Sequence, residues 1–262
     1  MNHDPSRGRP PADRIRIVLV GTQHPGNIGS AARALKTMGL ARLVLVAPQR
    51  FPHADAQALA AGADDVLAAA PCVGTLAEAV ADCRLVLGCT ARSRRVPLEE
   101  LSPRVAAARA RDVARAGGEV ALVFGRERTG LENDELQLCH AAVHIPANPD
   151  YSSLNLAAAV QVLAYELRLA LAGQDASAAA DGHGQAGHSD PPASHAQMEG
   201  LFEQLAQTLD DIDFHKGRAP DSAMRKLRRL FLRGGLDERE VRLLRGILAD
   251  AQRMARLAGE RR

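Results

Sequence analysis

The chain has 262 residues, an apolar fraction of 46% and a formal net charge of +2, so it can bury a substantial core. Its four cysteines lack CxxC spacing, which argues against a zinc finger or a disulfide scaffold. The amino-terminal residues are polar, and no apolar run has the roughly 18–20 residues that a bilayer crossing needs. We therefore expect a cytoplasmic protein that requires neither a metal nor a membrane.

Up to residue 172, short β-branched segments alternate with segments rich in Ala and Leu. Five apolar segments predict strands: Ile15–Val20, Leu43–Val46, Leu85–Gly88, Val120–Phe124 and Val143–Pro146. The segments between them predict helices: Ser30–Met38, Leu76–Ala81, Pro103–Ala116 and Leu154–Leu171. Continuous apolar strands separated by helices predict an α/β domain, residues 14–172, with a parallel sheet covered by helices on both faces.

The rest of the chain predicts a linker followed by a basic helical extension. Residues 173–197 are rich in Gly, Ala, Ser and His, which predicts a flexible linker with little prospect of a metal site. Residues 198–262 contain three amphipathic segments: Met198–Leu209, Ser222–Leu232 and Asp237–Leu257. From His215 onward there are fourteen Lys and Arg against six Asp and Glu, which favours a polyanionic partner over a merely solvated helix face.

Three glycine-bearing or polar segments follow predicted strands. In the first, Gly21 to Arg33, the spacing of Gly21 and Gly26 is that of a phosphate-binding loop, but Asn27 and Ile28 stand where such a loop carries Lys and Ser or Thr. A nucleotide triphosphatase is therefore disfavoured. What the segment predicts is a loop that turns into a helix, with Arg33 inside that helix, and a solvated arginine is the simpler alternative.

The second and third segments place polar groups beside later strands. In the second, Gly125 would let a ligand approach the backbone, and Glu127 lies between two arginines; a turn held by an ion pair is an equal alternative. In the third, Ser152 or Ser153 is expected to cap a helix that begins near Leu154, and Asn155 would face the same space. Ligands gather at the carboxyl ends of strands, so all three segments can share one site.

Taken together, these segments resemble the three motifs of SPOUT-class RNA 2′-O-methyltransferases. The likeness lies in Asn27-x-Gly-x-x-x-Arg33, Phe124-Gly-x-Glu-x-x-Gly-Leu131 and Ser152-Ser-Leu-Asn-Leu156. Four further segments are similar to the tRNA (cytidine/uridine-2′-O)-methyltransferases of that class: Lys36–Leu40, Ala91–Arg94, Gly125–Arg128 and Lys226–Phe231.

The resemblance implies a carboxyl-terminal trefoil knot in the α/β domain, S-adenosylmethionine as cofactor, and a homodimer that methylates the ribose of tRNA nucleotide 32. The cofactor contacts it implies are Cys89, Thr90, Ala91, Gly125, Ile145, Ser152, Ser153 and Leu154. The catalytic residues it implies are Arg33, supplied by the opposite protomer, with Glu127, Ser153 and Asn155 positioning the ribose. The RNA contacts it implies are Asn27, Arg33, Arg225, Lys226, Arg228 and Arg229.

The chemistry of a guanidinium restricts the role of Arg33. Because it stays protonated in proteins, we favour stabilisation of the developing alkoxide over removal of the 2′-OH proton as a base. The alternatives are methylation of another tRNA position or of ribosomal RNA, and a non-catalytic RNA-binding protein of the same fold. The third alternative is disfavoured because Arg33, Glu127 and Asn155 are all present.

Overall fold

The computed structural model describes residues 9–91, 98–172, 190–216 and 220–259. These residues form two compact units, a sheet-containing unit that ends with a helix at Ala172 and a helical unit from residue 190 onward. Residues 92–94, which belong to one of the resembling segments, and residues 173–189 of the predicted linker lie outside the described residues.

The first unit alternates strands and helices along the described chain. Its strands are β1 (Ile15–Val20), β2 (Arg42–Val46), β3 (Cys72–Val73), β4 (Cys83–Cys89), β5 (Glu99–Leu101), β6 (Glu119–Phe124) and β7 (Ala141–Val143). Its helices are α1 (Pro25–Thr37), α2 (Ala54–Ala60), α3 (Asp64–Ala68), α4 (Leu76–Val80), α5 (Pro103–Arg115), α6 (Asn133–Gln137) and α7 (Leu156–Ala172).

The strands form one sheet in the order β3-β2-β1-β6-β4-β7-β5, and every described pair is parallel. Side chains alternate between its faces, and both faces are covered. Ile15, Ile17 and Leu19 of β1 pack in a core that includes residues of α1, α5 and α7. Val18 and Val20 pack on the other face in a core that includes residues of α4 and α6. Burial on both faces explains why β1 is almost entirely apolar.

The sheet confirms the predicted α/β class with helices on both faces, and it corrects several boundaries. The predicted strand Val143–Pro146 is wrong: the strand is Ala141–Val143, so Ile145 lies in the loop that follows. Alanine is depleted in strands, which concealed this one, and β3 and β5 were missed because they contain only two and three residues. The knot stays a prediction, because strand order does not specify how the chain passes through a loop.

The second unit consists of α8 (His195–Asp211), α9 (Pro220–Gly234) and α10 (Glu238–Gly259). Its buried core contains Ala193, Met198, Leu201, Phe202 and Val241. Helix α8 begins three residues before the predicted Met198, because the Ser194 hydroxyl and the Gln197 side chain form a reciprocal capping box. Residues 190–197 of the predicted linker therefore belong to the helical unit.

Candidate functional site

The carboxyl ends of β4, β6 and β7 surround one cavity of about 490 Å³. All eight residues predicted to contact a cofactor line it: Cys89, Thr90, Ala91, Gly125, Ile145, Ser152, Ser153 and Leu154. The cavity is also lined by residues that were not predicted to contact the cofactor: Phe124, Arg126, Glu127, Arg128, Thr129, Gly130, Leu131, Val143, Leu156 and Ala159. Several of these adjoin the predicted residues in the chain, which is the signal that could have identified them.

The loop after β6 closes tightly on itself at Gly125. The backbone N–H of Arg126 donates to the carbonyl of Gly130 (3.2 Å), and the N–H of Gly130 donates back (2.8 Å). A Cβ added to Gly125 would lie 2.1 Å from the carbonyl carbon of Gly130 and 2.2 Å from the nitrogen of Leu131. Glycine is therefore required here by contact with backbone inside the loop rather than by contact with a ligand.

The two arginines that flank Glu127 differ in their environment. The guanidinium of Arg126 donates to both carboxylate oxygens of Glu135, at 3.0 and 3.1 Å. The Arg126 side chain also packs against Gly21, so it holds the loop after β6 against the loop after β1. Arg128 is exposed and lines the cavity. Within the described residues it has no ion pair, so its charge is available at the cavity mouth.

Glu127 caps helix α1 from a loop a hundred residues away in sequence. Helix α1 has no side-chain cap of its own, since His24 at the capping position makes no such bond. Instead, one carboxylate oxygen of Glu127 accepts the backbone N–H of Gln23 (2.9 Å) and the other accepts the N–H of His24 (3.0 Å). A carboxylate at this position satisfies otherwise unpaired N–H groups and complements the helix dipole.

The same carboxylate has a perturbed pKa. Burial alone would raise the pKa of Glu127, but the hydrogen bonds from the Gln23 N–H, the Asn27 amide and the His24 N–H together lower it below its ordinary value. Glu127 is thus held in its charged form by the structure around it.

A chain of hydrogen bonds joins the three motifs. The Nδ2 of Asn27 donates to Glu127 (2.9 Å), and the Nδ2 of Asn155 donates to the Oδ1 of Asn27 (3.0 Å). The Oδ1 of Asn155 in turn accepts the backbone N–H of Ala157 (2.9 Å) and of Ala158 (3.3 Å). Asn155 is therefore the residue that caps α7, and the prediction of a cap by Ser152 or Ser153 is wrong.

Of the four predicted catalytic residues, Glu127 and Ser153 line the cavity, whereas Asn155 and Arg33 do not. Ser153 is exposed and lines the cavity, whereas both carboxylate oxygens of Glu127 are occupied by protein donors. Arg33 is exposed on α1, is not among the residues that line the cavity, and has no ion pair with a described residue. Within one protomer, the structure therefore does not bring Arg33 together with the rest of the set.

Cys89 forms part of the apolar wall of the cavity. Burial strongly raises the pKa of its thiol, and the nearby Cys139 raises it further, so the sulfur stays protonated. The strand end at Cys89 is fixed by neighbours on β7, since the N–H of Thr90 donates to the carbonyl of Val143 (3.0 Å). Among the described residues, no group of three or more His, Cys, Asp or Glu side chains is arranged to hold a metal.

Helix α9 carries the basic surface of the second unit. Arg225, Lys226, Arg229 and Arg233 are all exposed on one side of the helix, and none has an ion pair with a described residue. Arg228, which is also predicted to contact RNA, differs from these four because it is only partly exposed and has partners within the protein. Its guanidinium lies 4.5 Å above the ring of Phe202 and pairs with Glu199, so its charge is used inside the helical unit.

Comparison with known proteins assigns the chain to a family. Residues 14–165 match the model of the SpoU rRNA Methylase family, and residues 196–260 match the model of the TrmJ carboxyl-terminal domain. The chain belongs to the SpoU methylase family. It is 50% identical over 246 residues, 93% of this chain and 96% of the relative, to a tRNA (cytidine/uridine/adenosine-2′-O-)-methyltransferase TrmJ from Pseudomonas aeruginosa.

Two further similarities cover most of the chain. A tRNA (cytidine/uridine-2′-O-)-methyltransferase TrmJ from Salmonella typhimurium is 52% identical over 241 residues, 91% of this chain and 96% of the relative. The crystal structure of TrmJ from Z. mobilis superposes with a TM-score of 0.76 at 37% identity, over 90% of this chain and 97% of that one. None of the described helices of this family member combines the length and apolar character that a membrane crossing requires.

Proposed function

We propose that the protein transfers a methyl group from S-adenosylmethionine to the ribose 2′-OH of nucleotide 32 in the anticodon loop of tRNA, in the cytoplasm. The observation that carries the proposal is the convergence of all eight expected cofactor residues on one cavity, beside three motifs joined through Asn27, Glu127 and Asn155. The names of the relatives, which are tRNA 2′-O-methyltransferases, supply the class of substrate.

The cavity suits S-adenosylmethionine in size and lining. A volume of about 490 Å³ lies within the roughly 300–1,000 Å³ of small-molecule sites. Apolar walls from Ile145, Leu154 and Leu156 fit a flat purine, while Thr90, Ser152 and Ser153 offer hydroxyl groups to its polar edges. When bound, the cofactor supplies an activated methyl group, so the protein's remaining task is to align a hydroxyl with it.

The residues around the cavity then divide into two roles. Arg33 is the candidate to stabilise the negative charge that develops on the ribose oxygen, since a guanidinium stays charged and this one has no ion pair with a described residue. Ser153 is the group on the cavity wall that can contact the ribose. Glu127 and Asn155 act through their hydrogen bonds to other protein groups, so they are positioning residues that hold the motifs in register.

A homodimer would bring Arg33 to the site. Arg33 does not line the cavity of its own chain, so an arginine supplied by a partner protomer accounts for its position. Helix α7 offers a surface for such a partner, because Tyr165 and Leu169 are 50% and 43% exposed on one side of the helix. Apolar groups that are exposed one turn apart can form part of a subunit contact.

The basic face of α9 is the candidate surface for the tRNA backbone. Four exposed cations on one helix face, none of them in an ion pair with a described residue, can neutralise phosphates without reading sequence, which matches a substrate recognised largely by shape. No metal takes part in this proposal, since alignment and charge stabilisation are both provided by side chains.

The test measures methyl transfer from labelled S-adenosylmethionine to unmodified tRNA transcripts, with ribose or 2′-deoxyribose at position 32. We expect transfer to the first and none to the second. Transfer that persists with the deoxy sugar would move the target to another nucleotide. A ribosomal RNA fragment serves as a third substrate because the matching family model is described as an rRNA methylase, and transfer to that fragment alone would contradict the tRNA assignment.

A further inference from the structure

Tyr151 is an exposed aromatic residue beside the cavity. Its side chain is 81% exposed in a chain that has 3% aromatic residues and no tryptophan. A single exposed apolar residue is ordinary, so exposure alone carries no conclusion. The position of Tyr151 in the chain does, because the next three residues, Ser152, Ser153 and Leu154, all line the cavity.

The turn that presents Tyr151 is fixed on both sides. The side chain of Asn148 accepts the N–H of Asp150 (3.0 Å), and its carbonyl accepts the N–H of Tyr151 (3.0 Å). Pro149 restricts the backbone at the start of this short 3-10 turn. On the carboxyl side, Asn155 caps α7. A backbone held in this way loses little freedom when a ligand covers the ring, which favours binding.

The chemistry of the ring and of a cation on the cavity wall points to an unpaired nucleotide. Single-stranded RNA is recognised by stacking of its bases on aromatic side chains and by contacts from cations to its phosphates. Tyr151 supplies an accessible aromatic face, and Arg128 on the cavity wall, which is exposed and has no ion pair with a described residue, supplies a cation. A double-helical stem keeps its bases stacked inside and could not use the ring.

We propose that Tyr151 is a substrate-binding residue that stacks on an RNA base at or next to the methylated nucleotide and so holds that nucleotide's ribose over the cavity. This inference rests on the proposed RNA methylation and adds to it a residue that would recognise the unpaired loop. Recognition by stacking tolerates different bases, because every base has an aromatic face. The base chosen for methylation would then be selected by its place in the loop more than by its identity.

The kinetic test combines protein variants with tRNA that lacks one base. Tyr151→Ala is expected to raise KM for tRNA roughly 5- to 150-fold, the usual effect of removing one base–aromatic stack, while Tyr151→Phe keeps the wild-type KM. Three substrates are each abasic at position 31, 32 or 33. On the substrate that lacks the stacked base, the alanine variant and the wild type should have the same KM, whereas the other two substrates should preserve the difference.

A binding test does not depend on turnover. Anticodon stem-loops that carry 2-aminopurine at position 31, 32 or 33 report stacking as quenched fluorescence. One of them should be quenched by the wild type and by Tyr151→Phe but not by Tyr151→Ala. If the wild type quenches the probe but transfers no methyl group, the proposed function fails and the stacking role stands.

Three results would overturn the proposal. The first is an unchanged KM for Tyr151→Ala together with unchanged quenching. The second is an equal loss on all three abasic substrates, which would indicate a general structural effect. The third is a shift in the dimer dissociation constant of Tyr151→Ala in sedimentation, which would make the ring a subunit contact; Tyr165→Ala, on the exposed face of α7, is the comparison variant for that outcome.

Discussion

Replacing Glu127 by Gln distinguishes a residue that holds helix α1 from one that contacts RNA. Glutamine keeps the shape of the side chain but exchanges one carboxylate oxygen for an NH₂ group and removes the charge. In the protein, one oxygen faces the Gln23 N–H, and the other faces the His24 N–H and the Asn27 amide. Whichever way the new amide turns, its NH₂ group meets an N–H donor, so at least one hydrogen bond is lost.

The size of the effect follows from that loss. A hydrogen bond to a charged group contributes about 1.5–3 kcal/mol, and we take about 2 kcal/mol because the side chain is only partly buried. For a folded unit of this size, each kcal/mol changes Tm by about 2–4 °C, so Glu127→Gln should lower Tm by about 4–8 °C. Glu100→Gln is the matched control: this carboxylate is exposed, has no bond to a described residue, and should shift stability by less than about 0.5 kcal/mol.

The pH dependence gives the prediction a second measurement. Since the folded-state pKa of Glu127 is lowered, its contribution to stability is complete above the unfolded-state pKa of about 4.3 and is lost as pH falls through the folded-state value. The difference in Tm between wild type and Glu127→Gln should therefore be constant above about pH 5 and should narrow below it.

Thermal unfolding, cofactor titration and methyl transfer are measured on the same preparations. We expect Glu127→Gln to lower both the Tm and the rate of methyl transfer. The reason is that the hydrogen bond between Asn27 and Asn155 depends on the position of helix α1, which Glu127 caps. An unchanged Tm at pH 7 with abolished transfer would refute the capping role and would place the carboxylate against the RNA.

The remaining predictions concern the cavity, the second helix cap and the basic face. Gly125→Ala should abolish measurable cofactor binding in calorimetry, since its Cβ would lie 2.1 Å from the Gly130 carbonyl carbon and the loop must shift; retained affinity would show that the loop yields without harm. Asn155→Ala should lower the free energy of unfolding by about 1 kcal/mol through loss of the α7 cap, whereas Ser152→Ala should not. Replacing Arg225, Lys226, Arg229 and Arg233 by Ala should reduce the slope of log Kd for tRNA against log salt by about 3. Arg228→Ala should instead lower Tm through loss of its contacts with Phe202 and Glu199, with little change in slope.

Much of the fold and of the cavity lining was predictable because it depends on local patterns. Apolar runs such as Ile15–Val20 and Val120–Phe124 indicate strands buried on both faces, and both lie within the observed strands. Parallel strands bring their carboxyl ends to one edge, so residues far apart in sequence, such as Ala91 and Ser152, can be expected in one site. That geometry requires no knowledge of individual contacts.

The remaining features depend on partners that only the folded chain brings together. Ser152, Ser153 and Asn155 are all good helix caps, so sequence alone could not decide which of them begins α7. Nor does the sequence indicate that Glu127 caps a helix a hundred residues away. Arg228 illustrates the same limit on α9, since its spacing from Arg225 and Arg229 does not reveal that Phe202 and Glu199 lie beneath it.

The place of Arg33 outside the cavity leads to a prediction that separates a shared site from a site within one protomer. Arg33→Ala removes the arginine and leaves the cavity intact, whereas Ser153→Trp fills the cavity and leaves the arginine. Each variant alone should be inactive. In a two-fold dimer with Arg33 supplied across the interface, a mixed dimer contains one site in which an intact cavity meets an intact arginine.

Random exchange of equal amounts of the two variants makes half of the dimers mixed, so about a quarter of wild-type activity should return. Sedimentation and labelled subunits verify that exchange has occurred, and a mixture of Arg33→Ala with wild type calibrates the expected fraction. Full exchange without recovery of activity would mean that Arg33 serves the cavity of its own chain, and its exposed position on α1 would then require a movement of that helix rather than a partner.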